Sequence, residues 1–238
     1  METVYFISDV HLGAQSGENE KYKINKLLSF LNAILGRADF LYIVGDLFDF
    51  WFEYRRAVPK VNLKILFKLY QLVESGVKIN YFAGNHDVWL RNYLHDEIGI
   101  DIIRGPKDIR HNSLTFYVAH GDGVIKRDRK QRLLNRIFKN RFNIFLYRLI
   151  HPDIGIPLAS TIARRSQKRR SYDHESAYRR WALAKLEDGY DGVVVGHTHK
   201  PVFERIGLKY YVNLGDWIDD FTYLEVIGDA VQLKTWGA

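Results

Sequence analysis

In the first third of the chain, short apolar runs rich in β-branched and aromatic residues alternate with segments whose apolar residues recur every three or four positions. The runs are TVYFIS at 3–8, FLYIV at 40–44 and KINYF at 78–82, and their length and composition predict strands. Between them, Ile24, Leu27, Leu28, Leu31, Ile34 and Leu35, then Ile65, Leu66, Leu69, Leu72 and Val73, fall on single faces of helices. Gly36 and Gly76 stand where such helices would end, and Asn62 stands where the second would be capped. This β-α-β-α-β opening predicts a wound α/β fold. Further strands are expected at 114–119 (LTFYVA), 191–195, 202–206 and 208–213, and in the C-terminal run FTYLEVIGDAVQLKTW, which reads as antiparallel hairpins.

The rhythm breaks at about 124–188, where the sequence turns helical and basic. RLLNRIFKNRFNIFLYRLIHP places Leu134, Phe138, Phe142, Phe145 and Leu149 on one broad face, and Pro152 and Pro157 are expected to break it into a second helical piece. Residues 126–180 hold sixteen Lys or Arg against four Asp or Glu, a local excess of +12 in a chain whose net charge is +7. Such a block is either a solvated face or the contact for a phosphate-rich partner: nucleic acid, an anionic membrane surface or a charged substrate. A chain of 238 residues, 47% of them apolar, buries one substantial core. The expectation is a single domain over 1–238 with a helical basic cap inserted at about 124–188. Cysteine is absent, which excludes disulfides, thiolate metal sites and a cysteine nucleophile. No basic leader with a long apolar stretch opens the sequence, and no run approaches the ~20 apolar residues of a membrane span. A cytoplasmic protein, soluble or peripheral, is expected.

The polar residues follow the strands. SDVHLG places Asp9 and His11 after the first, VGDLFD places Asp46 and Asp49 after the second, and AGNHD places Asn85, His86 and Asp87 after the third. VAHGD supplies His120 and Asp122, and VVGHTH supplies His197 and His199, after two later strands. In open, mostly parallel sheets the carboxyl ends of the strands share one edge, where such folds build their sites. Imidazole, carboxylate and amide oxygen without sulfur suit divalent cations such as manganese, iron or zinc. Asp9, His11, Asp46, Asn85, His120, His197 and His199 exceed what one ion needs and suffice for two sharing a carboxylate, the arrangement of a two-metal hydrolase. Singly, each cluster is no more than a turn or a helix cap; five at equivalent strand ends are a site. His95, His111 and His151 stand apart from them, as structural or surface residues.

DVHLG, GDLFDFW, GNHD, HGD and GHTHKP, in that order, resemble the calcineurin-like metallophosphoesterase superfamily over nearly the whole chain. The resemblance implies a four-layer α-β-β-α sandwich with a dinuclear centre, often of manganese. One ion would take Asp9, His11, Asp46 and His199, and the other Asp46, Asn85, His120 and His197. It further implies that His86 reaches the scissile phosphate and that Asp87 orients it.

GDLFDFWFEY, GHTHKP and the insertion after HGD are similar to the UDP-2,3-diacylglucosamine pyrophosphatase family of lipid A synthesis. That family releases UMP and a diacylated glucosamine 1-phosphate at the inner face of the inner membrane, its cap holding the acyl chains. The cap motif of that family aligns with Arg164, Ser166 and Lys168, and Asn85 and His86 would also meet substrate. Proteobacterial members carry GNRD where this chain has GNHD. A nucleotide or nucleic-acid phosphodiesterase is the alternative, although the chain has no nucleic-acid-binding module.

Overall fold

The computed structural model describes residues 1–59, 63–125, 136–137, 140–167 and 175–237. Asn62, Leu134, Phe138 and Lys168 lie outside the described residues. The opening strands form where the apolar runs place them, as β1 (Thr3–Ile7), β2 (Phe40–Val44) and β3 (Lys78–Phe82), with helices α1 (Gly17–Ile34) and α2 (Leu63–Glu74) between them. Three elements that the apolar pattern does not predict follow: the one-and-a-half-turn helix α3 (Tyr93–Ile98), β4 (Asp101–Ile103) and β5 (Lys107–His111). They are short, and β5 has just two buried positions, too few to carry a period. After β6 (Leu114–Ala119) come the helices α4 (Arg141–Arg148), α5 (Pro152–Gln167) and α6 (Glu175–Glu187). The chain ends in β7 (Gly192–Val195), β8 (Pro201–Ile206), β9 (Lys209–Leu214), β10 (Thr222–Ile227) and β11 (Ala230–Thr235).

The strands form two sheets, ordered β11-β10-β1-β2-β3-β4 and β5-β6-β7-β9-β8. β1 to β4 are mutually parallel, as are β6, β7 and β9, while β10 and β11 and the β8–β9 pair run antiparallel. Alternate residues of one strand therefore face different layers. Tyr5 and Ile7 pack with Leu27, Phe30 and Leu31 of α1 and with Leu69 and Leu72 of α2, whereas Val4 and Phe6 pack with Phe116, Val118, Val194 and Val212 of the other sheet. On the far side Val193, Val195 and Tyr211 pack with Tyr178, Ala182 and Leu186 of α6. Three apolar interfaces separate four layers, α-β-β-α. Both sheets are covered on both faces, which is why β1, β2 and β7 read as continuous apolar runs.

One feature of the basic segment differs from the sequence expectation. Pro157 lies inside α5 and does not break it; Pro152 occupies the first position, where a missing N–H costs nothing, and Thr161 Oγ1 donates to the Pro157 carbonyl oxygen at 2.8 Å. The apolar residues of α4 and α5 divide between two sides. Phe142 and Leu149 are 66% and 68% exposed, with Phe145, Leu146, Ile154 and Leu158 also outward. Tyr147 of the same helix turns the other way, its ring centroid 4.6 Å from that of Phe52 and 5.1 Å from that of Trp89. Among the described residues no helix is long and apolar enough to cross a membrane.

Candidate metal centre

The loops leaving β1, β2 and β3 in one sheet and β6 and β7 in the other meet at one end of the sandwich. Single-sheet reasoning expects one edge; the observed site straddles two, because parallel strands in both sheets end on the same side. Backbone bonds lace the loops together. His11 N–H donates to the Asp46 carbonyl oxygen at 2.9 Å, Asp9 N–H to that of Gly45 at 3.2 Å, and Gly196 N–H to that of His120 at 3.0 Å. Asp9, His11, Asp46, His197 and His199 all have positive φ, between 47° and 71°. Left-handed backbone at non-glycine residues costs ~1–3 kcal/mol each and clusters where function over-determines geometry. Here it turns successive side chains inward.

Each of the two innermost carboxylates has one oxygen held by protein and one presented to the centre. Asp9 Oδ2 accepts from Ser8 Oγ and, at 2.8 Å, from His197 N–H. Asp46 Oδ1 accepts from His86 N–H at 2.9 Å. Asp9 Oδ1 and Asp46 Oδ2 are buried with no hydrogen-bond partner among the described residues. Around Asp9 Oδ1 stand His199 Nε2 at 3.3 Å and His11 Nε2 at 3.6 Å. Around Asp46 Oδ2 stand His120 Nε2 at 3.3 Å and His11 Nε2 at 3.7 Å. Asn85 Oδ1 and His197 Nδ1 each lie 3.3 Å from His120 Nε2.

The imidazoles are oriented for the same purpose. His120 Nδ1 lies 2.8 Å from the Val44 carbonyl oxygen, which can only accept, so Nδ1 donates there and Nε2 is the nitrogen turned to Asp46 Oδ2. His199 Nδ1 faces Asp216 Oδ2 at 3.4 Å, and His11 Nδ1 faces Asp49 Oδ1 at 3.7 Å. Carboxylate or carbonyl groups behind the ring are the usual partners of metal-binding histidines. Asp9–His11–His199, Asp46–His120–His197 and His11–Asp46–His86 are groups close enough to hold an ion. Two buried carboxylate oxygens without hydrogen-bond partners among the described residues, ringed by imidazole nitrogens, fit a divalent cation.

Burial raises the Asp9 carboxyl, but the His199 and His11 rings outweigh it and hold it well below the usual carboxylate range. The same competition, won by His120 and His86, keeps Asp46 ionised. Burial lowers His120, and the Asp46 carboxylate overrides it, to about 10.

The expected pairing of Asp87 with the His86 ring is not observed. The Asp87 carboxylate accepts from the Tyr81 hydroxyl, from Leu47 N–H at 3.0 Å and from Gly84 N–H at 2.6 Å, clamping the second loop to the third. Adjacent residues in a turn point apart, and the nearest donors captured the acid. Burial, then the Asp46 carboxylate, raises it to about 7. His86 Nδ1 instead lies 2.9 Å from the Asp49 carbonyl oxygen and 3.5 Å from Asp49 Oδ1. Of the two acids behind the imidazoles, Asp49 belongs to the second sequence cluster, which gives it no role, whereas Asp216 has no signal in the sequence beyond an acid after a strand. Arg164 and Ser166 lie on α5 with side chains outside the described residues, as is all of Lys168.

Glycines and a lysine support the site from beneath. A Cβ at Gly84 would fall 2.1 Å from Asp46 Oδ1, and one at Gly196 would fall 2.5 Å from Asp9 Oδ2. Gly84→Ala is therefore expected to displace Asp46 and weaken metal binding by roughly 10–100-fold or more, the scale for losing a ligand's support, read by metal titration. Lys23 is fully buried, donating from Nζ to the His11 carbonyl oxygen at 2.7 Å and pairing with Glu20 Oε2 at 3.0 Å. Glu20 in turn accepts from Gly13 N–H at 2.8 Å and Gln15 N–H at 3.1 Å. Lys23→Met is expected to destabilise the fold by ~3–5 kcal/mol, the scale for breaking a buried pair from one side, measured by denaturant unfolding.

A cleft of about 840 Å³ opens beside His120, lined by Phe52, Trp89, Val124, Ile144 and Phe145 and by several arginines. The chain matches the family model for calcineurin-like phosphoesterases over residues 2–201. It is 31% identical to the UDP-2,3-diacylglucosamine hydrolase of Porphyromonas gingivalis, covering 98% of this chain and 97% of the relative. It is 26% identical to the enzyme of that name from Proteus mirabilis, covering 96% of each. Among solved structures an archaeal phosphodiesterase shares the fold, with a TM-score of 0.51 and 16% identity over 98% of both chains. Its five motifs, its four layers and these matches agree that the chain belongs to the calcineurin-like phosphoesterase family.

Proposed function

We propose that the chain hydrolyses the diphosphate of UDP-2,3-diacylglucosamine by attack of water at the α-phosphate, releasing UMP and 2,3-diacylglucosamine 1-phosphate, with two manganese ions as its cofactors. Asp9, His11, Asp46 and His199 would hold one ion, and Asp46, Asn85, His120 and His197 would hold the other. The observation that carries this reading is Asp46 Oδ2, a buried oxygen without a hydrogen bond among the described residues, with His120 Nε2 at 3.3 Å on one side and His11 Nε2 at 3.7 Å on the other. Such a pair of cations supplies charge for the phosphoryl oxygens and a nucleophile from water near neutral pH.

The protein groups do the rest. Nδ1 of His86 donates to the Asp49 carbonyl oxygen, which fixes the ring and leaves Nε2 as the nitrogen that meets the phosphoryl group. An imidazole whose ordinary pKa is about 6.5 can stabilise the developing charge or protonate the departing oxygen. Asp49 thus takes the orienting role that the resemblance implies for Asp87.

The substrate's lipid part is supported by the basic segment acting as a cap. Its outward Phe142, Phe145, Leu146, Leu149, Ile154 and Leu158 suit acyl chains or a membrane surface, and the +12 excess of residues 126–180 suits anionic headgroups. Peripheral attachment to the inner face of the inner membrane follows. The names of the relatives at 31% and 26% identity supply the substrate itself. With manganese, UMP release is expected to be at least ~10-fold more efficient from the diacylated UDP-sugar than from its deacylated analogue, since each buried methylene is worth ~0.8 kcal/mol. Equal efficiency for the two would remove the lipid from the proposal.

A further inference from the structure

Four arginines line the cleft beside His120: Arg91, Arg104, Arg136 and Arg148. Two carboxylates, those of Glu53 and Asp122, stand among them, and that of Glu53 is already engaged. It accepts from Trp51 Nε1 at 3.1 Å and from the N–H groups of Arg91, Asn92 and Tyr93 at 2.7, 3.1 and 3.2 Å. Arg104 Nη2 is fastened to the carbonyl oxygens of Leu90 and Arg91 at 3.1 and 3.2 Å. Arg148 differs from the other three. It is half-buried on α4, and its Nε is buried with no hydrogen-bond partner among the described residues. Burial first, then the Arg91 cation, makes its proton easier to lose, and the Glu53 carboxylate offsets this only in part. A guanidinium left in this state is costly, and an anion relieves it.

Its position is set by its neighbour. The Tyr147 ring sits among Phe52, Trp89 and Phe50, with centroids at 4.6, 5.1 and 6.2 Å. Gly155 passes so close that a Cβ there would lie 2.6 Å from the Tyr54 hydroxyl and 3.1 Å from that of Tyr147. Docking of Tyr147 on the body thereby fixes the helix that carries Arg148 at the cleft.

We propose that Arg148 is a specificity-determining residue that binds the second phosphate of a diphosphate-linked substrate, so that the site selects phosphoric anhydrides over simple phosphodiesters. The proposal rests on the reading of the site given above. A planar guanidinium matches two phosphoryl oxygens at once. A substrate with one phosphorus, engaged at the histidine–aspartate cluster, has no second phosphoryl group for Arg148 to hold.

The test uses the full chain loaded with manganese, as wild type, Arg148→Gln and Arg148→Lys, with UDP-2,3-diacylglucosamine and bis(4-nitrophenyl) phosphate as substrates. Metal content is measured for each variant. Arg148→Gln is expected to lower the ratio of kcat/KM for the diphosphate to that for the aryl diester by roughly 10–100-fold, the scale of a charge-assisted hydrogen bond. The change lies mainly in KM, and Arg148→Lys recovers part of it. If wild type cleaves the diphosphate and Arg148→Gln leaves the ratio unmoved, the inference about Arg148 is wrong while the reading of the site stands. If wild type cleaves the aryl diester and never the diphosphate, both are wrong.

Discussion

Asp46→Ala is expected to lose both metal ions and nearly all activity. The substitution removes the oxygen that faces His11 on one side and His120 on the other, and with it the acceptor for His86 N–H. Neither Asp9 nor Asp87 offers a replacement: Asp9 Oδ2 is held by Ser8 and His197, and the Asp87 carboxylate by Tyr81, Leu47 and Gly84. Losing several kcal/mol of charge stabilisation corresponds to a fall in kcat/KM on the order of 10³-fold or more. Manganese should drop from two ions per chain to fewer than one in equilibrium dialysis. Thermal melting separates this from a folding defect. In chelator the variant and wild type should melt within a few degrees of each other, and added manganese should raise wild type alone, because a ligand stabilises only the state that binds it. A variant that keeps two ions would show that Asp46 is not shared.

His86→Ala should give the opposite pattern, with metal retained and rate lost. His86 contributes its backbone N–H to Asp46, and alanine keeps that bond. Its ring is fixed by Asp49 through Nδ1, and removing the ring takes away a charge stabiliser or proton donor. Such groups are worth roughly 100-fold or more in kcat. The competing geometry is also present, since His86 can join His11 and Asp46 as a third group close enough to bind an ion. Loss of one manganese from His86→Ala would assign the ring to the metal and not to the phosphate. Retention of both with a slower kcat assigns it to the reaction.

The order of the first strands and helices is legible because strands covered on both faces are uniformly apolar and their helices keep one stripe. The site is legible for a related reason: a buried apolar run that ends in Asp, Asn or His has no packing use for those residues. What the sequence hides is pairing. Asp49 reaches His86 across 37 positions, Lys23 reaches the His11 carbonyl across 12, and no period connects them. The left-handed backbone at Asp9, His11, Asp46, His197 and His199 is likewise invisible, since it belongs to residues that seldom adopt it and is enforced by loops from two sheets. The glycines of VGD, AGN and VGH are open to reading as turn formers, and the structure gives them a second reason. At Gly45, Gly84 and Gly196 a Cβ would overlap His120, Asp46 or Asp9. Asp87 illustrates the converse: the resemblance implies that it orients His86, and the fold gives its contact to Tyr81.

The most direct measurement is the reaction of the manganese-loaded chain with UDP-2,3-diacylglucosamine in ¹⁸O-enriched water, with both products weighed by mass spectrometry. The account predicts equal amounts of UMP and diacylglucosamine 1-phosphate, with one heavy oxygen in the UMP. Label in the lipid phosphate, or no products from chains that hold two manganese ions and cleave an aryl phosphodiester, would contradict it.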